Sequence, residues 1–521
     1  MTRRPPERAR LAAFSVLIGL VFWDPPIAGA ASYSLTQAAE GRSLYAEHCA
    51  SCHGMNLLGS ESGPALSGKA FQDRWAWRPA DELVDVTITS MPSTNPGGLP
   101  ARDYASILAF MLFENGYATS ATDLDLKSQL AQGVTLGYPS TTEQLPLPAV
   151  SALSTALVEW LHHRGTPHST NYSPLDLIHA DNVADLEVAW RWKSDNFGAS
   201  PWPNYQVTPL MANGVLYATA GARRAVVAID AATGETIWMY RLDEGERGNN
   251  APRKGPGRGV AVHRGADQDT IFVISPGYQL IALDARTGHL RPGFGGGGIV
   301  DLKLQLGVEL DPVTAPIGAS SPPIVVNDVV IVGAAFTFSG APASPEALKG
   351  KVSAYDVNTG ELRWRFNTIP TSEESGFASW GGDSAGYTGN AGVWAPMSAD
   401  PELGHVYLPV EAPTSDYYGG HRPGDNLYGQ SLVCLDASTG ERIWHFQTVH
   451  HPIWDYDPPA PPVLLDISVE GSVIPAVAQI TKQGLTFVFD RRTGQPVWPI
   501  DEVAVTQSDV PGEQTAATQP I

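Results

Sequence analysis

The feature that most restricts the fold of this chain is a short pattern that recurs five times from residue 227 onward. Each copy joins an apolar strand to the turn Asp-x-x-Thr-Gly and a second strand, and four copies end in a tryptophan. The spacing of the turn aspartates ranges from 54 residues (Asp230 to Asp284) to 80 residues (Asp356 to Asp436), which leaves room for four strands per repeat. The copies occupy residues 227–238, 281–288, 352–364, 432–444 and 487–498. The sequence therefore predicts a mainly β fold, a propeller of four-stranded blades.

The repeat predicts architecture rather than chemistry. The turn glycine is expected to take a positive φ, and the tryptophan is expected to pack between sheets. An earlier stretch, Leu186 to Trp192, resembles the last part of the unit and predicts one more strand. The composition of 52 glycines, 43 prolines and only 17% charged residues suits many short strands and turns. Because such propellers also serve as binding scaffolds, function must come from residues outside the repeat.

Residues 33–118 carry the signature of a c-type haem domain. Cys49-Ala50-Ser51-Cys52-His53 is a C-x-x-C-H motif, whose thiols can attach a haem while the histidine binds its iron. The alternative is a redox-active CxxC pair. Met91 is the expected second iron ligand, since His/Met ligation suits an electron carrier, and filling a gap in the core is its competing role.

Two helices are expected in this domain. The first covers residues 38–48, and the second covers residues 102–115, whose apolar side chains recur on one face. With the Gly63–Leu66 loop and the Met-Pro loop between them, the arrangement resembles a class I cytochrome c. Residues 119–158 show no periodicity and predict a linker to the propeller at 160–521.

The N-terminus indicates an exported, periplasmic protein. Arginines at 3, 4, 8 and 10 precede the apolar run 11–23, and Ala28-Gly29-Ala30 resembles a signal-peptidase site, so residues 1–30 predict a cleaved signal peptide. An uncleaved membrane anchor is the alternative, although the run is short for a bilayer. The net charge of −21 argues against nucleic acid as a partner, because phosphate binding needs clustered Lys and Arg.

The candidates for chemistry lie between the repeats. The segment from His450 to Asp457 reads HHPIWDYD, and Lys482 follows 27 residues beyond Asp455 in Thr481-Lys482-Gln483-Gly484. If successive blades deliver Asp455 and Lys482 to one end of the axis, a carboxylate base lies beside a cationic donor. Such a pair can remove a hydroxyl proton and hold a quinone oxygen.

At these residues the chain resembles the dehydrogenases that depend on pyrroloquinoline quinone (PQQ), of the membrane glucose dehydrogenase type. The resemblance extends from residue 171 to the C-terminus. It implies that Asp455 is the catalytic carboxylate beside a PQQ-bound Ca²⁺, and that Lys482 bonds a quinone oxygen. It also implies that His263 is an active-site histidine and that PQQ stacks on Trp394, although a structural role stays open for His263. Supporting stretches are Gln206–Pro209, Arg258–His263, Gly392–Met397 and Arg422–Asn426.

Calcium is the predicted metal of the propeller. A hard cation takes several oxygen ligands, of which Asp455 would supply one and Glu411 a second. The other possibility for Glu411 is an ordinary surface carboxylate.

Two departures from the family refine the prediction. The adjacent-cysteine disulfide of methanol and ethanol dehydrogenases is absent, since the third cysteine, Cys434, stands alone in a repeat strand, where we expect it to be buried. This favours the glucose-like branch. The sequence also ends at Ile521, where similar proteins continue, so we expect a propeller of the eight-bladed type without its last blades.

The predicted function is the oxidation of an alcohol or an aldose sugar with PQQ, followed by electron transfer through haem c to a quinone, a cytochrome or an oxidase. A fused haem suits this task because it accepts one electron at a time. The alternatives are a haem-bearing binding scaffold and an electron-transfer cytochrome with an inert propeller. A scaffold has no reason to keep the Asp455 and Lys482 pair.

Overall fold

The computed structural model describes residues 33–521, except for 55–56, 60–62, 76–77, 79, 118, 127–158, 195–201, 203, 267, 338–343 and 345. The predicted signal peptide and most of the predicted linker lie outside the described residues. The chain divides into two compact units: Met1–Cys49 with Ala70–Thr142, and Ala50–Lys69 with Glu143–Ile521. The division falls within the CxxCH segment.

The helices are short and lie mostly before residue 115. They are α1 (Leu35–His48), α2 (Ala50–His53), α3 (Gly68–Trp75), α4 (Ala80–Ser90), α5 (Ala101–Glu114), α6 (Gly245–Asn249) and α7 (Ser384–Tyr387). Among the described residues, two 3-10 helices span Val183–Asp185 and Phe377–Ser379.

The first unit is built on the packing of α1 against α5. Gly41 allows close approach, because a Cβ at this position would lie 1.8 Å from the Ser106 carbonyl oxygen. The middle of α5 is buried throughout. Both predicted helices are confirmed, with bounds that differ by at most three residues.

Seven antiparallel sheets lie in the described part of the second unit. Four of them have four strands each, in sequence order. The first two contain β1 (Leu210–Ala212), β2 (Val215–Ala220), β3 (Ala225–Asp230) and β4 (Thr236–Tyr240), and then β5 (Ala261–His263), β6 (Thr270–Ile274), β7 (Gln279–Asp284) and β8 (Ile299–Asp301). The next two contain β10 (Ile324–Val326), β11 (Val329–Val332), β13 (Lys351–Asp356) and β14 (Leu362–Asn367), and then β15 (Ser398–Asp400), β16 (His405–Pro409), β17 (Ser431–Asp436) and β18 (Arg442–Gln447). A fifth sheet has three strands, β19 (Val463–Val469), β20 (Ser472–Ile480) and β21 (Thr486–Asp490), and two pairs join β9 (Ile317–Gly318) to β12 (Ala335–Phe336) and β22 (Glu502–Ala504) to β23 (Thr518–Pro520). The prediction of a mainly β fold with four-stranded blades is confirmed.

Tryptophans pack on the turn of the next blade at four places, as the repeat predicts, whereas the β5–β8 blade has no such tryptophan and meets the next turn glycine, Gly360, through Val300 and Gly295. The indole of Trp364 lies over the turn glycine Gly440 of the following blade, and its Nε1 donates to the Ala437 carbonyl oxygen over 2.9 Å. Gly440 has a φ of 76°, and a Cβ there would lie 2.6 Å from the indole. The turn therefore needs glycine both for its backbone and for this contact. The same packing recurs for Trp190 on Gly234, Trp238 on Gly288 and Trp444 on Gly494.

Two expected strands are not formed. Residues 186–192 form no strand, although Trp190 still docks on the next turn and donates to the Ala231 carbonyl over 3.2 Å. The fifth sheet stops at three strands, and only an isolated bridge joins Phe489 to Pro496. Pro496 and Pro499 lack backbone N–H groups, so this stretch cannot form a full ladder.

Cys434 is buried in β17, as predicted. Among the described residues, no helix has the length and apolar character needed to cross a bilayer.

Candidate active site

Four residues predicted from the sequence lie at one end of the blades. Trp394 precedes β15 and Asp455 precedes β19, each at the start of the first strand of a sheet. Glu411 follows β16 and Lys482 follows β20, each at the end of the second strand. Because neighbouring strands are antiparallel, the start of the first strand and the end of the second meet at the same end of the sheet. We call this the site end; the Asp-x-x-Thr-Gly turns lie at the opposite end.

Asp455 and Lys482 form the centre of the site. The Lys482 ammonium donates to the Asp455 carbonyl oxygen over 2.7 Å and to the carboxylate Oδ2 over 3.3 Å. About a third of each side chain is exposed, 32% for Asp455 and 31% for Lys482, so solvent and small molecules can reach the pair. The pairing predicted from the sequence is present. The two residues do not come from successive blades, however, because both flank strands of the fifth sheet.

The backbone of Asp455 is held in an unusual conformation. Its φ is 53°, in the left-handed region that residues other than glycine rarely adopt. The bond from Lys482 to the Asp455 carbonyl oxygen helps to hold this geometry. The Tyr417 hydroxyl adds a second donor to Oδ2, over 3.4 Å.

Asp457 is a carboxylate of the site that the sequence reasoning missed. It is buried; its Oδ1 accepts from the Ala412 N–H over 2.7 Å and its Oδ2 accepts from the Trp394 indole N–H over 3.2 Å. Lys482 lies 3.9 Å from the same Oδ2. Burial raises the pKa of Asp457 above its ordinary value, and the Asp455 charge adds to this, while the Ala412 N–H and Lys482 oppose it. The signal was present in the sequence, because two aspartates separated by one residue follow the conspicuous tryptophan.

Glu411 is a second buried carboxylate, not a surface one. Its Oε1 accepts from the Gly392 N–H over 2.8 Å. Burial, together with the nearby Asp457 charge, raises the pKa of Glu411 well above its ordinary value. A bound cation would relieve this cost, so the buried carboxylates suit one. In the part of the chain that the structure describes, however, no group of three or more His, Cys, Asp or Glu side chains is arranged to hold a metal, so the calcium ligands stay predictions.

Trp394 presents a flat surface beside these charges. The Arg258 guanidinium lies 5.3 Å from the centre of its ring, and Ser321 donates to the Trp394 carbonyl oxygen over 2.6 Å. Its indole N–H is fixed by Asp457. The ring is therefore held between an arginine and a carboxylate, and Arg258 is another site residue that the sequence reasoning did not single out.

A buried arginine braces the loops that carry the site. Arg422 is fully buried and donates to the carbonyl oxygens of Thr414 and Ser415, to the Asn426 side chain and to the Pro452 carbonyl. Pro452 is three residues before Asp455. Burial lowers the pKa of Arg422 to about 10, so it stays charged at neutral pH. The guanidinium thus ties the segment before Asp455 to the loop that follows Glu411.

His263 is not brought to this group. It is the last residue of β5 and pairs with Thr270, which pairs in turn with Asp284 of a repeat turn. This places His263 at the turn end of its blade. Burial lowers its pKa, and the charge of Asp328, from another hairpin, opposes this. Its catalytic role stays a prediction without support from the geometry.

The CxxCH motif presents its histidine in a form that suits iron binding. His53 is buried, and its Nδ1 lies 2.8 Å from the Pro64 carbonyl oxygen. A carbonyl accepts only from a protonated Nδ1, so Nε2 is left with the lone pair that a metal needs. Gly63 packs tightly here, since a Cβ would lie 2.9 Å from His53 Nδ1. Cys49, directly after α1, and Cys52, within α2, are both half-buried.

Met91 lies in the other unit, directly after α4. Its carbonyl oxygen accepts from the Tyr104 hydroxyl over 2.7 Å, which anchors the Met-Pro loop to α5. The side chain is half-buried. Its role as the second iron ligand stays a prediction.

A propeller of four-stranded blades joined by tryptophans, with a CxxCH unit before it, defines a quinoprotein-type propeller fused to a c-type cytochrome sequence. The family model named PQQ, described as glucose/ethanol/alcohol dehydrogenase, beta-propeller domain, matches residues 160–521. The chain belongs to this family. A second family model, described as cytochrome C oxidase, cbb3-type, subunit III, matches residues 36–111. The family predicted from the sequence is confirmed on both counts.

Curated relatives bear names from the same group. A quinoprotein glucose dehydrogenase of Gluconobacter oxydans is 30% identical over 489 residues, which cover 86% of this chain and 56% of that protein. A quinate/shikimate dehydrogenase (quinone) of Acinetobacter baylyi is 32% identical, with 73% of this chain and 48% of that protein covered. The chain spans about half the length of the curated relatives it matches.

Solved structures agree on the fold. A quinohemoprotein alcohol dehydrogenase from Comamonas testosteroni has a TM-score of 0.56 and 27% identity, over 71% of this chain and 52% of that one. The quinohemoprotein alcohol dehydrogenase ADHIIG from Pseudomonas putida has a TM-score of 0.57 and 28% identity, over 69% and 51% of the two chains.

Proposed function

We propose that this protein is a periplasmic quinohaemoprotein dehydrogenase that oxidises an alcohol or a sugar with PQQ and Ca²⁺ and delivers the electrons to haem c. The observation that carries the proposal is the pair of Asp455 and Lys482 at the site end, each about one-third exposed and beside the flat ring of Trp394. Residues 1–30 would direct export as a cleaved signal peptide. A quinone, a cytochrome or an oxidase would accept the electrons from the haem.

The residues at the site end fit a planar, anionic quinone. Trp394 offers an aromatic face, while Arg258 and Lys482 supply the positive charge that the carboxylates and carbonyl oxygens of PQQ require. Asp455 and the buried Glu411, with Asp457 next to them, would hold Ca²⁺. When bound, PQQ supplies the two-electron acceptor that amino-acid side chains lack.

Asp455 is the proposed base. Both hydrogen bonds to its carboxylate that are found among the described residues end on Oδ2, so Oδ1 remains available for a substrate hydroxyl. Lys482 donates to this carboxylate and would also hold a quinone oxygen of the cofactor. Trp394, fixed through its N–H by Asp457, would support the flat cofactor.

His53 and Met91 would hold the haem iron, and Cys49 and Cys52 would form the thioether bonds. The His53 Nδ1 contact with the Pro64 carbonyl fixes the ring with Nε2 available. This ligand pair raises the potential of haem, which suits an acceptor of electrons from a reduced quinone.

The test is substrate-driven reduction of the haem. The protein, matured with haem and reconstituted with PQQ and Ca²⁺, is mixed with a panel of sugars and alcohols while the haem α-band is followed. We expect reduction with at least one substrate, and a loss of about a hundred- to ten-thousandfold of the rate in Asp455→Asn, since a general base typically contributes 10²–10⁴-fold. Asp466→Asn, an exposed change in β19, is the control and should keep the rate. Haem reduction at the normal rate in Asp455→Asn would exclude the proposed base, and no reduction by any substrate together with no PQQ binding would exclude the enzyme.

A further inference from the structure

Tyr417 is a surface tyrosine whose hydroxyl points at the proposed base. The residue is 71% exposed, so core packing does not explain its position. Its hydroxyl nevertheless donates to Asp455 Oδ2 over 3.4 Å. A phenol at the mouth of a site, bonded to the reactive carboxylate, can meet a substrate that enters.

The loop that carries Tyr417 is anchored on both sides. The next residue, Tyr418, donates its hydroxyl to the Pro511 carbonyl oxygen over 3.2 Å, and the Gly419 N–H donates to Glu513 Oε2 over 3.0 Å. On the other side, Arg422 holds the carbonyl oxygens of Thr414 and Ser415. The same arginine donates to the Pro452 carbonyl oxygen, three residues before Asp455. One side chain therefore holds both the loop that carries Tyr417 and the segment before the base.

The two oxygens of the Asp455 carboxylate have different surroundings. Oδ2 accepts from Tyr417 and from Lys482, whereas Oδ1 is left for the hydroxyl that loses its proton. A substrate bound through one hydroxyl at Oδ1 brings any neighbouring hydroxyl to the side of Oδ2. Vicinal hydroxyl oxygens lie roughly 3 Å apart, about the length of a hydrogen bond. The second hydroxyl therefore comes within reach of Tyr417.

We propose that Tyr417 is a specificity-determining residue that hydrogen-bonds the hydroxyl adjacent to the reacting one, so that the site favours vicinal diols and polyols over monohydroxy alcohols. The proposal rests on the proposed function, because it assigns a substrate contact to the same site. The Tyr417 hydroxyl exchanges its bond to Asp455 for one to the substrate, and no covalent step is involved. A monohydroxy alcohol has no second hydroxyl with which to replace the bond between Tyr417 and Asp455.

The kinetic test compares 1,2-propanediol with 1-propanol, which differ by the one hydroxyl. We expect the wild-type protein to prefer the diol in kcat/KM, and Tyr417→Phe to reduce that preference about five- to tenfold, the usual effect of one hydrogen bond. The change should fall on KM for the diol more than on KM for 1-propanol, so the ratio of the two kcat/KM values is the quantity compared. Tyr418→Phe is the matched control, since its hydroxyl binds Pro511 and not Asp455, and it should keep the preference. Equal preference in wild type and Tyr417→Phe would overturn the proposal.

A binding test without turnover separates this inference from the proposed function. The protein is labelled with 3-fluorotyrosine, and the ¹⁹F resonance of Tyr417 is assigned by its disappearance in Tyr417→Phe. Titration with 1,2-propanediol should shift this resonance, and 1-propanol at the same concentration should not. A shift without haem reduction would uphold the substrate contact while the dehydrogenase proposal fails; no shift, or an equal shift with both alcohols, would overturn the contact even if the haem is reduced.

Discussion

The contact between Trp364 and Gly440 allows the strength of blade-to-blade docking to be measured by one methyl group. In Gly440→Ala the new Cβ would lie 2.6 to 2.8 Å from three atoms of the indole, so the ring must move. The shift would break the Trp364 Nε1 bond to Ala437, which costs about 1 kcal/mol, and would add overpacking of about 1 kcal/mol or more. Alanine at a φ of 76° adds about 1 kcal/mol of backbone strain. The free energy of unfolding should therefore fall by about 3 kcal/mol.

Gly404→Ala in the same blade is the matched control. Its φ is 68°, but nothing lies within 4 Å of the new Cβ, so only the strain of about 1 kcal/mol applies. Urea denaturation of the full chain, followed by tryptophan fluorescence and near-UV circular dichroism, measures both variants. We expect a difference of about 2 kcal/mol between them. Equal destabilisation by the two substitutions would show that the indole does not join the blades.

Two further predictions concern charged groups away from the proposed chemistry. Burial opposes ionisation of Asp356, but hydrogen bonds from Arg363 and from the Thr359 and Asn358 N–H groups outweigh it and lower its pKa to about 2. Because the folded pKa lies below the unfolded value near 3.9, the ionised carboxylate stabilises the fold above that pH, and this stabilisation is lost as the pH falls through 2. Asp356→Asn should therefore cost about 2 kcal/mol of unfolding free energy at pH 7 and little at pH 2. Denaturation at both pH values would measure the difference. Arg422→Lys leaves buried carbonyl oxygens without donors and should cost about 3 kcal/mol, whereas Arg492→Lys, on the surface, should cost less than about 1 kcal/mol; similar melting temperatures for the two would refute the bracing role.

Much of the candidate site was readable from the sequence because its charged residues lie in short motifs. Asp455 and Lys482 lie in stretches that no blade strand requires, and the structure brings them within hydrogen-bond distance. Asp457 and Arg258 were missed, since one flanks a more conspicuous residue and the other lies 197 positions before Asp455. Only the folded sheet shows that both contact or approach the same indole.

The position of His263 shows why motif membership does not fix location. It lies five residues after Arg258 in one continuous motif. The strand β5 begins at Ala261, however, and ends at His263, which places the histidine at the turn end of the blade. A strand advances roughly 3.3 Å per residue, so five residues are enough to leave the site.

The sequence by itself determined the class of fold, the blade repeat and the haem-attachment motif. These are local properties: a turn needs its glycine, an indole needs a flat partner, and a c-type haem needs two thiols and a histidine at fixed spacing. The tertiary structure decided which carboxylates are buried, which oxygen of Asp455 is open and that Arg422 ties two loops together. Burial and hydrogen-bond partners depend on segments far apart in the chain, and no local pattern records which of them will meet.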